Sequence, residues 1–149
     1  MKELPSDLFA IYFSGFSAHV IEIDGVLYPT LEHAYHCVRF DDPNIRAAIR
    51  DARSPELAWE LSQTHKSQRR QLVEDEKIAL MTQLTRAKIE QHADVRRALA
   101  ATGDARIVKR IIAGPPGDGF WDIAEGSGRN EWGKIWMQLR EEYRTQGLL

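Results

Sequence analysis

The feature that most constrains the fold is a change of hydrophobic period at Pro29. Residues 20–28, VIEIDGVLY, place Asp24-Gly25 between two short apolar runs, which predicts a β-hairpin with a two-residue type I′ turn. After Pro29 the apolar residues recur at helical spacing, and Thr30 stands where an N-cap belongs. The apolar stripe of this helix comprises Leu31, Ala34, Tyr35 and Val38.

Helices are also predicted in the middle of the chain. Asp42-Pro43 and Ser54-Pro55 each combine a capping side chain with a proline at the first helical position, so two short helices should begin there. A longer helix is expected over 72–91. Its apolar stripe is predicted to contain Val73, Leu80, Leu84 and Ala87, with Met81 beside it.

The last third of the chain alternates helices with irregular segments. A helix over 94–101 should stop at Thr102-Gly103, because glycine fits the left-handed position after a helix end. Segments 9–13 and 107–112 are plausible strands, and 113–133 is a glycine-rich loop of the kind that more often carries function. The final helix, 131–143, should bury Trp132, Ile135, Trp136, Leu139 and Tyr143.

Bulk properties narrow the class of protein. The 149 residues suit one domain, 1–149, and the pattern of elements predicts an α+β fold that is mostly helical with a small N-terminal hairpin or sheet. A net charge of −2 provides no global basic field for nucleic acids. One cysteine excludes an intramolecular disulfide and a cysteine-rich metal cluster, and no apolar run is long enough for a membrane span. A cytoplasmic location is expected.

Two places could carry chemistry. Glu32, His36 and Arg39 fall at i, i+4 and i+7, so they would share one helix face, although spacing alone favours a solvated face over a site. His33 and His36 are not at a recognised metal spacing, so no metal is expected. In the 113–133 loop, binding and mere connection are about equally well supported; its titratable or anion-binding groups are Asp118, Asp122, Glu125 and Arg129.

Two further groups are ambiguous. Phe120-Trp121 could stack on a heterocycle, but a role in the core is favoured. The basic residues Lys66, Arg69 and Arg70 could bind phosphate, but a solvated helix flank is favoured.

Five blocks, in order along nearly the whole chain, resemble the motifs of one family. They are FSGF at 13–16, IDGVLYPTLEHAYHCVRF at 23–40, SPELAWEL at 54–61, RAKIEQHADVRRALAATGDARIV at 86–108 and GFWDIAEGSGRNEWGKIWMQLREE at 119–142. On these blocks the chain resembles the NADAR or YbiA-like domains, which act as N-glycosidases on riboflavin-pathway intermediates and, in some members, on ADP-ribosylated nucleobases.

The resemblance implies roles for particular residues. Glu32 would be a catalytic carboxylate that activates water or stabilises an oxocarbenium ion. The second catalytic role stays open between Asp118 and His36. Implied substrate-binding residues are Arg39 and Arg70 for a phosphate or pyrophosphate, together with Trp121, Gly128 and Asn130.

The resemblance also implies a substrate, and it shows where this chain departs from the family pattern. The substrate would be a small phosphoribosyl or ADP-ribosyl molecule, or ADP-ribosylated nucleic acid, and no cofactor is needed. Val73 stands where the family carries a tryptophan, and His36 replaces a glutamine. The alternative is therefore a module that binds NAD- or ADP-ribose-like ligands without cleaving them; a purely structural domain is a third possibility.

Overall fold

The computed structural model describes residues 2–111, 117–124 and 126–149. The chain is mostly helical with one two-stranded sheet, which confirms the predicted α+β class. Its elements, in chain order, are α1 (Ser6–Leu8), a π-helix (Phe9–Phe13), β1 (Ile21–Ile23), β2 (Val26–Tyr28), α2 (Leu31–Cys37), α3 (Pro43–Arg50), α4 (Pro55–Thr64), a 3-10 helix (Lys66–Gln68), α5 (Glu74–Gln91), α6 (Ala93–Ala101) and α7 (Glu131–Thr145).

The chain divides into two compact units. The first combines Met1–Ser14 with His92–Leu149, and the second is the continuous segment Gly15–Gln91. The organisation of 1–149 as a single domain stays a prediction. Within the described ranges, no helix has the length and apolar character that crossing a membrane requires.

The hairpin opens the continuous unit as predicted. β1 and β2 pair antiparallel, with Ile21 opposite Tyr28. Asp24 and Gly25 have φ values of 51° and 80°, the positive φ at both turn positions that a type I′ turn requires. Asparagine, aspartate and glycine tolerate this region best, so the local sequence alone specifies the turn.

The three predicted helix caps are also present. Thr30 Oγ1 accepts a hydrogen bond from the His33 amide at 3.2 Å, and Ser54 Oγ accepts from the Leu57 amide at 3.1 Å. Asp42 Oδ1 accepts from the Asn44 amide at 2.8 Å. Each bond satisfies a backbone donor that the first helical turn leaves unpaired, which fixes where α2, α3 and α4 begin.

The buried stripe of α5 differs from the predicted one. Val73 is 64% exposed and precedes the helix, while the buried residues are Met81, Leu84, Thr85, Lys88 and Ile89. The buried stripe differs from the predicted apolar one because it includes two polar residues, Thr85 and Lys88. Thr85 donates its hydroxyl hydrogen to the Met81 carbonyl at 2.7 Å, which lets the side chain be buried without an unsatisfied donor.

The core of the discontinuous unit is built on α7. Its predicted face, Trp132, Ile135, Trp136, Leu139 and Tyr143, is buried throughout. The Trp136 ring meets Phe13 edge to face at 4.7 Å between centroids, and its Nε1–H donates to the Phe13 carbonyl at 3.2 Å. Phe9 contacts Trp132 in the same T-shaped manner at 6.2 Å.

Two predicted strands are wrong. Phe9–Phe13 is a π-helix, in which the Ser14 amide donates to the Phe9 carbonyl at 2.8 Å. This geometry buries Phe9 and Phe13 together and leaves Ile11 53% exposed, whereas a strand would have placed all three on one face. Residues 107–111 are irregular, and Ile112 lies outside the described residues.

Cys37 and Tyr28 give the continuous unit a pH dependence. Burial raises the pKa of both side chains. An acid whose pKa is higher in the folded protein than in the unfolded chain stabilises the folded state fully when the pH is below its pKa in the unfolded chain. This stabilisation is lost as the pH rises through its pKa in the folded protein. We expect the urea midpoint to fall as the pH rises above about 9, and to fall less steeply in the Cys37→Ala variant.

Thiol reagents should label native Cys37 only as fast as the continuous unit opens, because the side chain is buried. Rapid stoichiometric labelling of the folded protein would contradict this.

Candidate functional site

Glu32 and His36 form a hydrogen-bonded pair on α2. The Nε2–H of His36 donates to Oε1 of Glu32 at 2.7 Å, and the side chains of His36 and Glu32 are only 6% and 13% exposed, respectively. The predicted i,i+4 contact is therefore present and largely shielded from water. Nδ1 of His36 is buried and has no hydrogen-bond partner among the described residues, so one hydrogen-bonding atom of the pair is unused by protein.

His33, the immediate neighbour of Glu32, supports the start of α2. Its Nδ1 is 2.8 Å from the Thr30 hydroxyl, and its Nε2–H donates to the Ala52 carbonyl at 2.9 Å. The residue is 1% exposed. Since both ring nitrogens are used, His33 holds the N-terminus of α2 against the segment that precedes α4.

A buried lysine, which sequence reasoning missed, lies in the same unit. Lys88 Nζ donates to Ser17 Oγ at 2.5 Å, and Ser17 Oγ is 2.8 Å from Nδ1 of His19. The segment that carries Ser17 also meets α2, where the Glu32 amide donates to the Gly15 carbonyl at 3.0 Å. Lys88 follows the apolar Leu84 by four positions, and a lysine at core spacing is the signal that could have identified it.

Arg39 lies outside the helix face on which the sequence placed it. α2 ends at Cys37, and the Arg39 amide donates to the His36 carbonyl at 3.3 Å in a tighter turn. Its guanidinium carbon lies 5.3 Å from the centroid of the Tyr35 ring, a cation–π contact. The predicted wall therefore contains Glu32 and His36, and Arg39 belongs to a separate group.

That group contains Arg39 and Arg70, with Arg69 next to Arg70 in the chain, and we call these three residues the arginine cluster. The Arg70 amide donates to the Arg39 carbonyl at 2.8 Å, and the Arg70 guanidinium donates to the Val38 carbonyl. The structure therefore brings the two predicted phosphate ligands, Arg39 and Arg70, together from distant parts of the sequence.

The other candidate residues lie in the discontinuous unit. Asp118 is exposed, and its Oδ1 accepts from the Phe120 amide at 2.9 Å. Asp122 is 3% exposed and accepts from the amides of Gly119 and Ala124 at 3.0 and 3.1 Å. Asp122 therefore shapes the loop, while the carboxylate predicted for chemistry, Asp118, is the one that faces solvent.

Trp121 and Gly128 are held within the same loop. Phe120 is buried and contacts the half-buried Trp121 edge to face at 4.7 Å, so the core role applies to the first ring of the pair. A Cβ on Gly128 would lie 2.4 Å from the Asp122 carbonyl oxygen, which only glycine tolerates. Glu125 and residues 113–116, which the loop hypothesis also included, lie outside the described residues.

Asn130 braces this loop. It is 4% exposed and has a φ of 52°, the left-handed region that asparagine tolerates better than most residues. Its Nδ2–H donates to the Ile107 carbonyl at 3.0 Å, and its Oδ1 accepts from the Lys109 amide at 2.9 Å. A direct contact of Asn130 with substrate stays a prediction.

Asn130→Gly separates the brace from a ligand role. Glycine keeps the left-handed backbone and removes both side-chain bonds, so we expect a loss of about 1–3 kcal/mol in the free energy of unfolding for each buried backbone group left unpaired. Urea titration measures this loss. An unchanged free energy of unfolding together with a raised KM would instead assign Asn130 to substrate binding.

The chain is similar to known proteins over most of its length. The profile of the NADAR domain matches residues 6–144. An N-glycosidase YbiA of Escherichia coli K12 is 36% identical over 131 residues, which cover 87% of this chain and 79% of that protein. An N-glycosidase of Nostoc punctiforme is 35% identical over 89% of this chain and 85% of its own length.

Other similarities agree with these. The NMR structure of the Escherichia coli protein YbiA superposes with a TM-score of 0.75 at 33% identity, covering 91% of this chain and 79% of that one. A riboflavin biosynthesis protein of Vibrio vulnificus is 30% identical over 88% of this chain, which corresponds to 35% of that protein.

Proposed function

The chain belongs to the NADAR domain family, and on that premise we propose that it is an N-glycosidase that hydrolyses the C1′–N bond of a phosphoribosylamino-pyrimidine, an intermediate of riboflavin biosynthesis. The activity is supported by the names of its relatives, two of which are N-glycosidases and one a riboflavin biosynthesis protein. The observation that carries the proposal is the shielded Glu32–His36 pair.

Glu32 is the proposed catalytic carboxylate. As the C1′–N bond breaks, positive charge develops on the ribose, and a nearby carboxylate stabilises it most strongly where water is excluded. Water then bonds to C1′ and gives a proton to Glu32. At 13% exposure, the carboxylate is accessible to one small reactant but poorly screened by solvent.

The leaving nitrogen needs a proton, and His36 or Asp118 supplies it. In its doubly protonated form, His36 keeps Nε2–H bonded to Glu32 at 2.7 Å and gives the Nδ1 proton to the leaving nitrogen, while Glu32 takes a proton from water. Loss of that proton from Glu32 to solvent and uptake of one by Nδ1 restore the pair. The favourable feature of Asp118 is its exposure, which leaves it open to a ligand. No cofactor takes part in either version.

Binding of the substrate is assigned to five residues. Arg39 and Arg70 hold the phosphate through charge-assisted hydrogen bonds, which guanidinium groups form bidentately. Trp121 offers a half-buried ring for stacking on the pyrimidine. Gly128 and Asn130 shape the loop that carries Trp121.

An ADP-ribosyl-nucleobase conjugate, free or in nucleic acid, is the second candidate substrate, and a binding module without catalysis is the alternative function. The alternative is motivated by Val73, which is 64% exposed where the resemblance leads us to expect a tryptophan. Without a large ring at this position, a heterocycle loses a stacking surface.

A substrate panel tests the proposal. Purified protein is incubated with a phosphoribosylamino-pyrimidine, its dephosphorylated analogue and ADP-ribosylated guanine in DNA, and base release is followed by mass spectrometry. Release from the first compound alone is expected. If calorimetry detects binding while every compound stays intact, the binding module is correct and the enzyme proposal is wrong.

A further inference from the structure

The arginine cluster contains a residue that the proposed reaction does not yet use. We propose that Arg69 is the third ligand of the substrate's terminal phosphate, and that it makes the site selective for a phosphate monoester over a pyrophosphate diester. The inference rests on the proposed function, because it assigns the phosphate end of that substrate to Arg39, Arg69 and Arg70.

Arg69 is held in place by the end of α4. Its Nη1 donates to Ser62 Oγ at 3.0 Å and to Gln63 Oε1 at 2.9 Å. Ser62 is completely buried, so this anchor is rigid. One edge of the guanidinium is thus fixed by protein through Nη1. Nε is buried out of reach of a ligand and has no partner among the described residues, so a phosphate would be met by Nη2. A positioned guanidinium with an unused donor is what recognition of an oxyanion needs.

Arg39 presents the same combination. Its Nε is also buried without a partner in the described ranges, and its charge rests on the Tyr35 ring. Burial is the largest cause that lowers the pKa of Arg39, and the charges of Arg69 and Arg70 act in the same direction. Arginine stays ionised even so, which means that the cluster keeps three like charges close together. A bound anion would offset both their repulsion and the desolvation of Arg39.

Arg70 completes the cluster from the solvent side. It is exposed, and its backbone and guanidinium bonds to the Arg39 and Val38 carbonyls tie it to the end of α2. The carboxylate of Asp41 is 3.9 Å from Arg70 Nε and 87% exposed, so solvent screens that pair. Asp41 therefore neutralises little of the cluster.

The charge of the cluster matches a monoester better than a diester. A phosphate monoester carries about −1.5 to −2 charges at pH 7 and three free oxygens, which gives each arginine its own acceptor. Each phosphate of a pyrophosphate diester bears one charge and two free oxygens, and its second ester link would occupy the third direction. The third arginine therefore adds more affinity for a terminal phosphate.

Arg69→Met tests the inference, because methionine keeps much of the apolar stem and removes the charged head. Calorimetry compares ribose 5-phosphate, ribose and ADP-ribose as probes. We expect the Kd of ribose 5-phosphate to rise about 10- to 100-fold, the loss of a charge-assisted hydrogen bond, and that of ADP-ribose to change less than about 3-fold. Ser62→Ala removes one of the hydrogen bonds that anchor Arg69, so it should also raise the Kd of ribose 5-phosphate.

The matched control is Arg53→Met, which removes one positive charge from an exposed position in the same unit. It should bind ribose 5-phosphate like the wild type. The inference is overturned if Arg69→Met, still folded by circular dichroism, binds ribose 5-phosphate unchanged, if both probes weaken equally, or if the wild type does not bind ribose 5-phosphate. Binding is measured without turnover, so this result does not depend on whether the protein shows N-glycosidase activity.

Discussion

Replacing Glu32 with glutamine is expected to lower kcat for base release by about 10³-fold, within the range found for positioned acid–base and electrostatic groups. Glutamine has nearly the same shape and can still accept a hydrogen bond from His36, so the 2.7 Å contact has a substitute. What the variant loses is the negative charge beside the developing cation and the base for water. Release of ribose 5-phosphate, followed under saturating substrate, measures the change.

Glu60→Gln is the matched control, because it makes the same substitution at an exposed position in α4 of the same unit. It should retain full activity. The thermal midpoint of Glu32→Gln should stay near that of the wild type. Equal turnover by Glu32→Gln and Glu60→Gln would remove Glu32 from the mechanism, and a KM effect alone would reassign it to substrate binding.

Replacing Trp136 with alanine should cause the largest loss of stability, about 3–5 kcal/mol. The side chain is 0% exposed, packs against the Phe13 ring and donates Nε1–H to the Phe13 carbonyl. Alanine leaves a cavity at the centre of the core of the discontinuous unit and an unpaired backbone carbonyl. Chemical denaturation, with intrinsic fluorescence and circular dichroism read in parallel, gives the free energy of unfolding.

Trp136→Phe separates these contributions. Phenylalanine retains an aromatic ring for Phe13 but cannot donate to its carbonyl, so we expect a smaller loss of about 1–3 kcal/mol. If alanine and phenylalanine destabilise the protein equally, the hydrogen bond rather than packing supports the core. A loss below about 1 kcal/mol for alanine would show that the ring is less important than its burial indicates.

The parts of the fold that follow from neighbouring residues could be predicted from sequence. The Asp24-Gly25 turn and the caps at Thr30, Asp42 and Ser54 depend on bonds that span at most a few positions. The face of α7 was equally predictable because every apolar residue of the predicted stripe is buried.

The parts that depend on distant partners could not. Phe9, Ile11 and Phe13 alternate like the residues on one face of a strand. Only the packing of Phe9 against Trp132 and of Phe13 against Trp136 favours a π-helix. The sequence analysis did not single out Lys88, because its partner Ser17 lies 71 positions away in the chain.

The candidate site divides in the same way. The Glu32–His36 contact follows from helical spacing, but spacing could not distinguish a shielded pair from a solvated one, and the family resemblance singled out Glu32. The approach of Arg70 to Arg39 depends on the path of the chain through α3 and α4, which local patterns do not specify. The sequence placed Arg69 on a solvated flank, because its hydrogen bond to the buried Ser62 depends on packing that local patterns do not specify.

The two-part make-up of the discontinuous unit has a consequence for the order of folding. The whole of Gly15–Gln91 leaves the ribosome before His92, so this unit can become compact while synthesis continues. The other unit must wait, because Phe9 and Phe13 find Trp132 and Trp136 only after α7 has been made. During that interval the aromatic N-terminal segment is exposed, and it is the part of the nascent chain that we expect chaperones to protect.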